Sequence, residues 1–409
     1  MRKIGFQGVA WDSIMLAFVK IVTTLTSIIT TKILSVGLSL SDYGTYSQAN
    51  LVVSIGTSAL LFGLGDAINY FYNRSHIEEQ KKVRLVNTIF FIEIILGCVY
   101  AAIVIFGRNL ISSYFSNQSL SIVLNLVAFI PALNNVLYFY QILYISNGKA
   151  KVIAIRNLSV SVIKILVIYV SVHLLQSIFS IFFAILMIEV LQILFFKLYF
   201  AKDFFFVNPF KILIKEFKTI LSYCIPMGVY AITNYLTRDI DKLVIGRLAD
   251  TETLAIYTNC SKVLPFDIIA VSFSTVLIPY IMKYVSNNDR ENSVKLFTQY
   301  IKIGYYSVWP LGAAVLTAPE QAIKFLYSND YLVGKGVFIC YVIDSMIRFA
   351  SIHLILAAAG KTKTLMMFSL ISLVISSADL SEAKAPKELK KSFSLFFRSF
   401  FSDLANLSS

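Results

Sequence analysis

The sequence predicts an all-α polytopic membrane protein with about eleven transmembrane helices. Three observations carry that reading. The chain of 409 residues is 57% hydrophobic and only 14% charged, with a mean hydropathy of +0.74, whereas soluble domains carry about 25% charged residues. Apolar runs long enough to cross a bilayer recur from end to end. The ten-residue alternating segments of an outer-membrane barrel are absent.

The predicted spans are, in order, 11–36, 45–72, 86–106, 119–145, 152–173, 177–197, 219–246, 254–282, 300–318, 335–359 and 364–377. Met1, Arg2 and Lys3 form a basic start, but the apolar segment after them is long and carries Asp12 and Lys20. It therefore reads as a retained first span and not as a cleaved leader. The longest connection between spans on the basic side, about 198–218, contains the basic, aromatic run KDFFFVNPFKILIKEFK. An amphipathic interfacial helix and a plain basic loop both fit it. The last span is too short for a bilayer, and a polar tail with Lys384, Lys387, Lys390, Lys391 and Arg398 follows. That tail fits an aberrant or truncated end, or an amphipathic surface helix.

The net charge of +13 raises nucleic acid as a partner, but its distribution argues for a membrane and against nucleic acid. With the N-terminus in the cytoplasm, the inside loops carry twenty Lys and Arg. The outside loops carry four: Arg108, Arg247, Lys324 and Lys335. This is the positive-inside pattern. Cys98, Cys224, Cys260 and Cys340 lie in or beside apolar spans without a CxxC and read as packing residues. The three histidines are scattered and form no metal site.

The two halves resemble one another. Lys32-Ile33-Leu34-Ser35 leads to Ser41-Asp42-Tyr43-Gly44-Thr45-Tyr46, and Lys242-Leu243-Val244-Ile245 leads to Thr251 through Tyr257. Tyr46 and Tyr257 are 211 positions apart. Six spans separate the copies, so both have one orientation, as in a parallel repeat with the substrate path between bundles. The expected organisation is an N-terminal lobe of six helices (1–200), a cytoplasmic amphipathic linker (201–218), a C-terminal lobe of about five helices (219–377), and the basic tail (378–409).

Intramembrane charge marks the candidate site. Arg238, Asp239, Asp241 and Lys242 fall within one apolar stretch, where each charge costs roughly 2.5–3.5 kcal/mol at the bilayer centre. They must pair, sit near the interface or face a watery interior. Arg238 and Lys242 are spaced i,i+4, with Asn234 one turn earlier, so both cations can face one way while Asp239 and Asp241 neutralise them. Lys20, Thr24, Ser27 and Thr31 share one face of the first span; a lining stripe and a helix-packing seam are the two readings. Lys32 is near the end of that span and can snorkel. In span two, Asp66, Asn69 and Asn73 share a face after Gly63 and Gly65. Asp66 reads as a counter-ion, a protonatable coupling site or a packing contact. Span eight adds Lys262 and Asp267. Span ten adds Asp344 and Arg348, which fit a structural pair as well as a site. Glu93, Lys164 and Glu189 are single intramembrane charges without an evident partner.

These motifs carry a family resemblance. Asp42-Tyr43-Gly44-Thr45-Tyr46 followed by Gly63-Leu64-Gly65, and Asp241-Lys242-Leu243-Val244-Ile245-Gly246 followed by Tyr257 and Lys262-Val263-Leu264-Pro265, resemble the polysaccharide flippases. Those belong to the multidrug/oligosaccharidyl-lipid/polysaccharide exporter superfamily. The resemblance covers roughly residues 1–365. It implies two pseudo-symmetric six-helix lobes around a central cavity, in the bacterial cytoplasmic (inner) membrane. It implies flipping of an undecaprenyl-diphosphate-linked oligosaccharide for O-antigen, capsule or exopolysaccharide synthesis, with polysaccharide polymerase machinery a candidate partner. The family has twelve or more spans, so the second lobe is expected to be incomplete.

A diphosphate sugar needs a cationic, hydroxyl-rich groove, and Lys20, Thr24, Ser27, Asp66, Arg238, Asp241, Lys242, Lys262 and Arg348 are the candidates for it. No cofactor is expected; H⁺ or Na⁺ are candidate coupling ions. A multidrug or metabolite antiporter of the same superfamily is the alternative, disfavoured by the fixed cations. A membrane polymerase or glycosyltransferase is less favoured, because the longest outer loop, about 319–334, is short and carries only Glu320 and Asp330 as carboxylates. The chain is therefore expected to be a transporter and not an enzyme.

Overall fold

The computed structural model describes residues 6–61, 64, 65, 67, 68, 79–203, 214–262, 266, 284, 289–348 and 367. Every regular element among them is helical. Contacts divide the chain into two units, Met1–Ile232 and Thr233–Ser409.

The first unit opens with α1 (Phe6–Gly37) and, after two residues, α2 (Leu40–Leu61). α3 (Glu79–Tyr114) has 36 residues, about 54 Å at 1.5 Å per residue. It is thus longer than the roughly 30 Å hydrocarbon core and overruns the predicted 86–106 at both ends. The span predicted at 119–145 is two helices, α4 (Ser119–Val127) and α5 (Ile130–Ser146). Pro131 at the start of α5 has no N–H to continue the ladder from α4, which accounts for the break. α6 (Ala150–His173) and α7 (Ile178–Asp203) follow.

Among the described residues, five stretches of helix are long and apolar enough to cross a membrane: Phe18–Gly37, Gln80–Tyr114, Ser119–Ser146, Ala150–His173 and Ile178–Phe200. α3, α5 and α7 meet in a core of Ile89, Phe90, Phe139, Tyr140, Tyr144, Phe196 and Phe200. Their outer faces carry Phe106, Leu110 and Leu198, all largely exposed. Such bare apolar surface is untenable in water and ordinary against lipid. Helices approach closely where side chains are small: a Cβ on Gly97 of α3 would lie 2.7 Å from the Cβ of Ala132 on α5.

α8 (Ile214–Leu248) runs from the first unit into the second. Residues 201–203 complete α7, while 204–213, most of the predicted linker, lie outside the described residues. The second unit continues with α9 (Thr251–Cys260), α10 (Arg290–Thr317), α11 (Pro319–Leu326), a 3-10 segment (Asn329–Gly334) and α12 (Lys335–Arg348). The segment expected to be an outer loop at about 319–334 is thus largely helical. Pro319 starts α11 at a position where its missing N–H costs nothing. The short span predicted at 364–377 and the tail lie outside the described residues, apart from Met367.

The internal repeat shows in the helix boundaries. Gly37 and Leu248 end helices 211 positions apart, and Leu40 and Thr251 begin the next ones at the same offset. Both two-residue turns end in a cap. The Asp42 N–H donates to Ser39 Oγ (3.1 Å), and the Thr253 N–H donates to Asp250 Oδ1 (2.6 Å).

Candidate functional site

α8 holds its charged cluster two turns before its C-terminal end. Successive residues on a helix point about 100° apart, whereas i and i+3 stack. Asp239 therefore reaches its neighbour and the next turn together. Its Oδ2 accepts from Arg238 Nε (2.9 Å), and its Oδ1 accepts from Lys242 Nζ (2.6 Å). The two cations differ sharply in exposure. The Lys242 side chain is 14% exposed and the Arg238 side chain 68%. Arg238 lies over the Tyr235 ring, with Cζ 4.9 Å from its centroid, a cation–π contact. Its guanidinium is tethered through Nε alone. The two terminal nitrogens make no hydrogen bond among the described residues. Sequence spacing allows both cations to face one way; in the structure Asp239 holds Lys242 in a recessed position and leaves Arg238 exposed.

Asp241 has different partners. Its Oδ1 accepts the Lys242 backbone N–H at 2.8 Å, with Lys242 Nζ at 4.0 Å. Its Oδ2 accepts hydroxyls from Tyr257 of α9 (2.7 Å) and Tyr341 of α12 (2.8 Å). One carboxylate oxygen thus ties three helices together. Just past α9, Lys262 Nζ donates to Asn259 Oδ1 at 2.8 Å.

The other predicted residues stand as follows. Lys20 and Ser27 are exposed on α1 and Thr24 is half-buried. α1 packs along α6, so a stripe exposed at Lys20 and Ser27 is not the seam of that pair. The Thr24 and Ser27 hydroxyls donate back to the carbonyls of Lys20 and Thr24, both at 2.7 Å. Asp66, Asn69, Asn73 and Asp267 lie outside the described residues, as do the side chains of Asn234 and Arg348. The structure brings together Arg238, Asp239, Asp241 and Lys242. Lys20, Thr24 and Ser27 belong to the first unit.

Two expectations are corrected. Lys164 and Glu189 are not single charges: Lys164 Nζ lies 3.7 Å from Glu189 Oε1, linking α6 to α7. The same interface carries Arg156 Nε donating to Gln192 Oε1 at 2.7 Å. Sequence spacing missed both because the partners sit on different helices. Cys98 is not a packing residue; it is exposed on α3, whereas Cys224 and Cys260 are buried.

Comparison with known proteins decides the family. The model of a family described as polysaccharide biosynthesis protein matches residues 33–334. The chain belongs to that family. No curated protein matches it significantly. Among solved structures, it is similar to the lipid II flippase MurJ in an inward closed conformation, at 17% identity and a TM-score of 0.69, over 90% of this chain and 79% of that one. It is similar to an inward-facing multidrug resistance MATE family transporter of the MOP superfamily, at 14% identity and a TM-score of 0.67, over 90% of both chains. A MOP superfamily transporter from Pyrococcus furiosus, described as having a binding pocket of reverse polarity, aligns at 14% identity and a TM-score of 0.61, over 95% of this chain and 91% of that one. The fold is that of these transporters, and this member of the polysaccharide biosynthesis family is a multi-pass membrane protein in contact with the lipid bilayer.

Within this family member, the sequence reading missed Tyr341 and Tyr235. Tyr235 carried a signal: it precedes Arg238 by three positions on one helix. Tyr341 carried none, because it is 100 residues from Asp241.

Proposed function

We propose that this protein is a flippase for undecaprenyl-diphosphate-linked oligosaccharide, acting in surface polysaccharide synthesis at the bacterial cytoplasmic membrane. The observation that carries this reading is Arg238. Its guanidinium stands exposed on α8, backed by Asp239, and its two terminal nitrogens make no hydrogen bond among the described residues. A planar fork of this kind matches phosphate oxygens in two-point contact. A substrate cation would be repelled by the same group.

The remaining cluster supports that role. Lys242 neutralises Asp239, so Arg238 is held in place without its charge being fully cancelled. The hydroxyls of Thr24 and Ser27 and the ammonium of Lys20 offer sugar and phosphate contacts on α1. Alternating access from the two sides of the membrane would carry the head group across, with the polyprenyl tail left in lipid.

The test is transport by the purified chain in proteoliposomes, using a fluorescent polyprenyl-diphosphate disaccharide and a fluorescent organic cation in parallel. The flippase reading expects transfer of the first and none of the second, with the activity lost in Arg238→Ala. Transfer of the cation alone would replace this reading with the antiporter one.

A further inference from the structure

The end of α3 is built in an unusual way. The Asn117 N–H donates to the Ser112 carbonyl (3.0 Å), and the Ser116 N–H donates to the Ser113 carbonyl (3.2 Å). These two bonds form a Schellman cap, in which the residue before Asn117 takes the left-handed conformation. That residue is Ser116, at φ 50°, where glycine is the usual occupant. The turn is pinned behind by Asn117, whose Nδ2 donates to Thr45 Oγ1 (2.8 Å) and Gln48 Oε1 (2.7 Å) on α2. Its Oδ1 accepts from the Ser119 N–H at 3.1 Å. The amide of Asn117 thus locks the α3–α4 turn onto α2.

A cleft of about 330 Å³ opens at this turn. It is lined by Asn109, Ser112, Ser113, Ser116, Asn117, Gln118 and Ser121. Every one is an uncharged amide or hydroxyl. The nearest charge in sequence, Arg108, is drawn away to Asn125 Oδ1 at 3.0 Å. One buried polar group in its wall, Ser112 Oγ, is unmet among the described residues. Small-molecule sites span about 300–1,000 Å³ and are mostly apolar. This cleft has the size without the apolar walls, so its chemistry selects the ligand. An anion would call for cations and a lipid tail for hydrocarbon. Amides and hydroxyls, each able to donate and accept, match sugar hydroxyls, which do the same.

We propose that this cleft is a carbohydrate subsite that holds a neutral sugar ring. It lies at the end of α3 remote from Lys81, Lys82 and Arg84, which positive-inside topology assigns to the cytoplasm. The cleft therefore faces the outside. This deepens the flippase reading and rests on it for the biological ligand: the glycan of the flipped lipid would reach the cleft on release. Arg238 would meet the diphosphate, while the cleft would meet sugar alone.

The test is saturation-transfer NMR on the full chain in nanodiscs, with millimolar glucose, galactose, mannose, rhamnose and N-acetylglucosamine as probes. The proposal expects saturation transfer to at least one sugar. It expects that signal to fall at least fivefold in Asn109→Leu/Gln118→Leu and to be unchanged in Arg238→Ala. Asn109 and Gln118 are exposed, so both substitutions are compatible with folding. Ser116→Gly is a second variant that relieves the left-handed strain, so it removes a hydroxyl without endangering the fold; a fall of at least twofold is expected. No signal with any sugar, or a signal indifferent to both variants, would overturn the subsite and leave a hydrated surface cleft. Either result is independent of whether the proteoliposomes transport lipid.

Discussion

Tyr257 and Tyr341 direct their hydroxyls at one oxygen of Asp241 and stand 3.1 Å from each other. Their rings meet edge-on at 6.2 Å. The carboxylate therefore has two donors on Oδ2, and losing one leaves the other in place. Hydrogen bonds to charged groups are worth about 1.5–3 kcal/mol. Tyr257→Phe and Tyr341→Phe should each lower stability at the low end of that range. The double variant should lose more than the sum, since it leaves a carboxylate oxygen without a donor. Thermal unfolding of the four proteins in detergent measures this, and strictly additive losses would show that the tyrosines do not share Asp241.

Arg238 and Lys242 should part company on substitution. Arg238→Ala removes an exposed fork and is expected to abolish lipid-diphosphate transport while the unfolding temperature stays near wild type. Arg238→Lys keeps the charge but loses the planar geometry, so partial activity is expected. Lys242→Ala strips Asp239 of its recessed partner, and breaking such a pair costs on the order of 3 kcal/mol. It should lower the unfolding temperature as well as transport. Equal effects of both alanine variants on stability would contradict the difference in their exposure.

The sequence disclosed those features that lie along the chain. Helical class, span order and the 211-residue offset depend on local hydropathy and turn chemistry, which a single chain carries along its length. The Arg238–Asp239–Lys242 cluster was legible for the same reason, since i,i+1 and i,i+3 neighbours on a helix must meet. Which cation faces outward was not, because it depends on which one Asp239 holds more tightly. Partners on other helices were invisible: Tyr341 for Asp241, Glu189 for Lys164, Asn117 for Gln48. Each such pair is fixed by packing, and a single chain carries no periodic trace of it.

The Lys164–Glu189 pair offers a direct test of intramembrane pairing. Glu189 is buried and Oε2 lacks a hydrogen bond among the described residues. Lys164→Met alone removes the nearest cation at 3.7 Å and should destabilise the protein by roughly 2–4 kcal/mol. Adding Glu189→Gln removes the stranded charge and should recover most of that loss. Failure of the second substitution to rescue the first would show that the pair is not coupled.

Glu320 and Lys335 give a pH dependence outside the membrane. Glu320 Oε1 accepts from Lys335 Nζ at 2.7 Å, and this hydrogen bond and charge hold the Glu320 carboxyl below its usual value. A depressed folded-state value means that the contribution is present above the unfolded carboxyl value, about 4.3, and is lost as pH falls through the folded one. The pair is exposed, so the effect is small and screened by salt. Hydrogen exchange across 319–335 should be faster in Glu320→Gln than in wild type at pH 7 and low salt. The difference should shrink in 1 M salt and vanish in the acid range. A difference that persists in acid would assign it to packing instead.

The contact of Gly97 with Ala132 sets how closely α3 and α5 can pack. A Cβ at Gly97 would meet the Ala132 Cβ at 2.7 Å and its Cα at 3.6 Å. Neither atom belongs to a flexible side chain that could swing aside, so Gly97→Ala must push the helices apart. Overpacking of this kind costs about 1–3 kcal/mol, partly offset by the roughly 1 kcal/mol that alanine gains over glycine within a helix. The reciprocal variant Gly97→Ala/Ala132→Gly moves the methyl group across the interface. Helix propensity then cancels between the two positions, and the steric conflict is gone. Its unfolding temperature should return to near wild type, above both Gly97→Ala and Ala132→Gly. If the double variant is instead no better than the worse single one, the two helices are not held at this point, and the small residues there serve another contact.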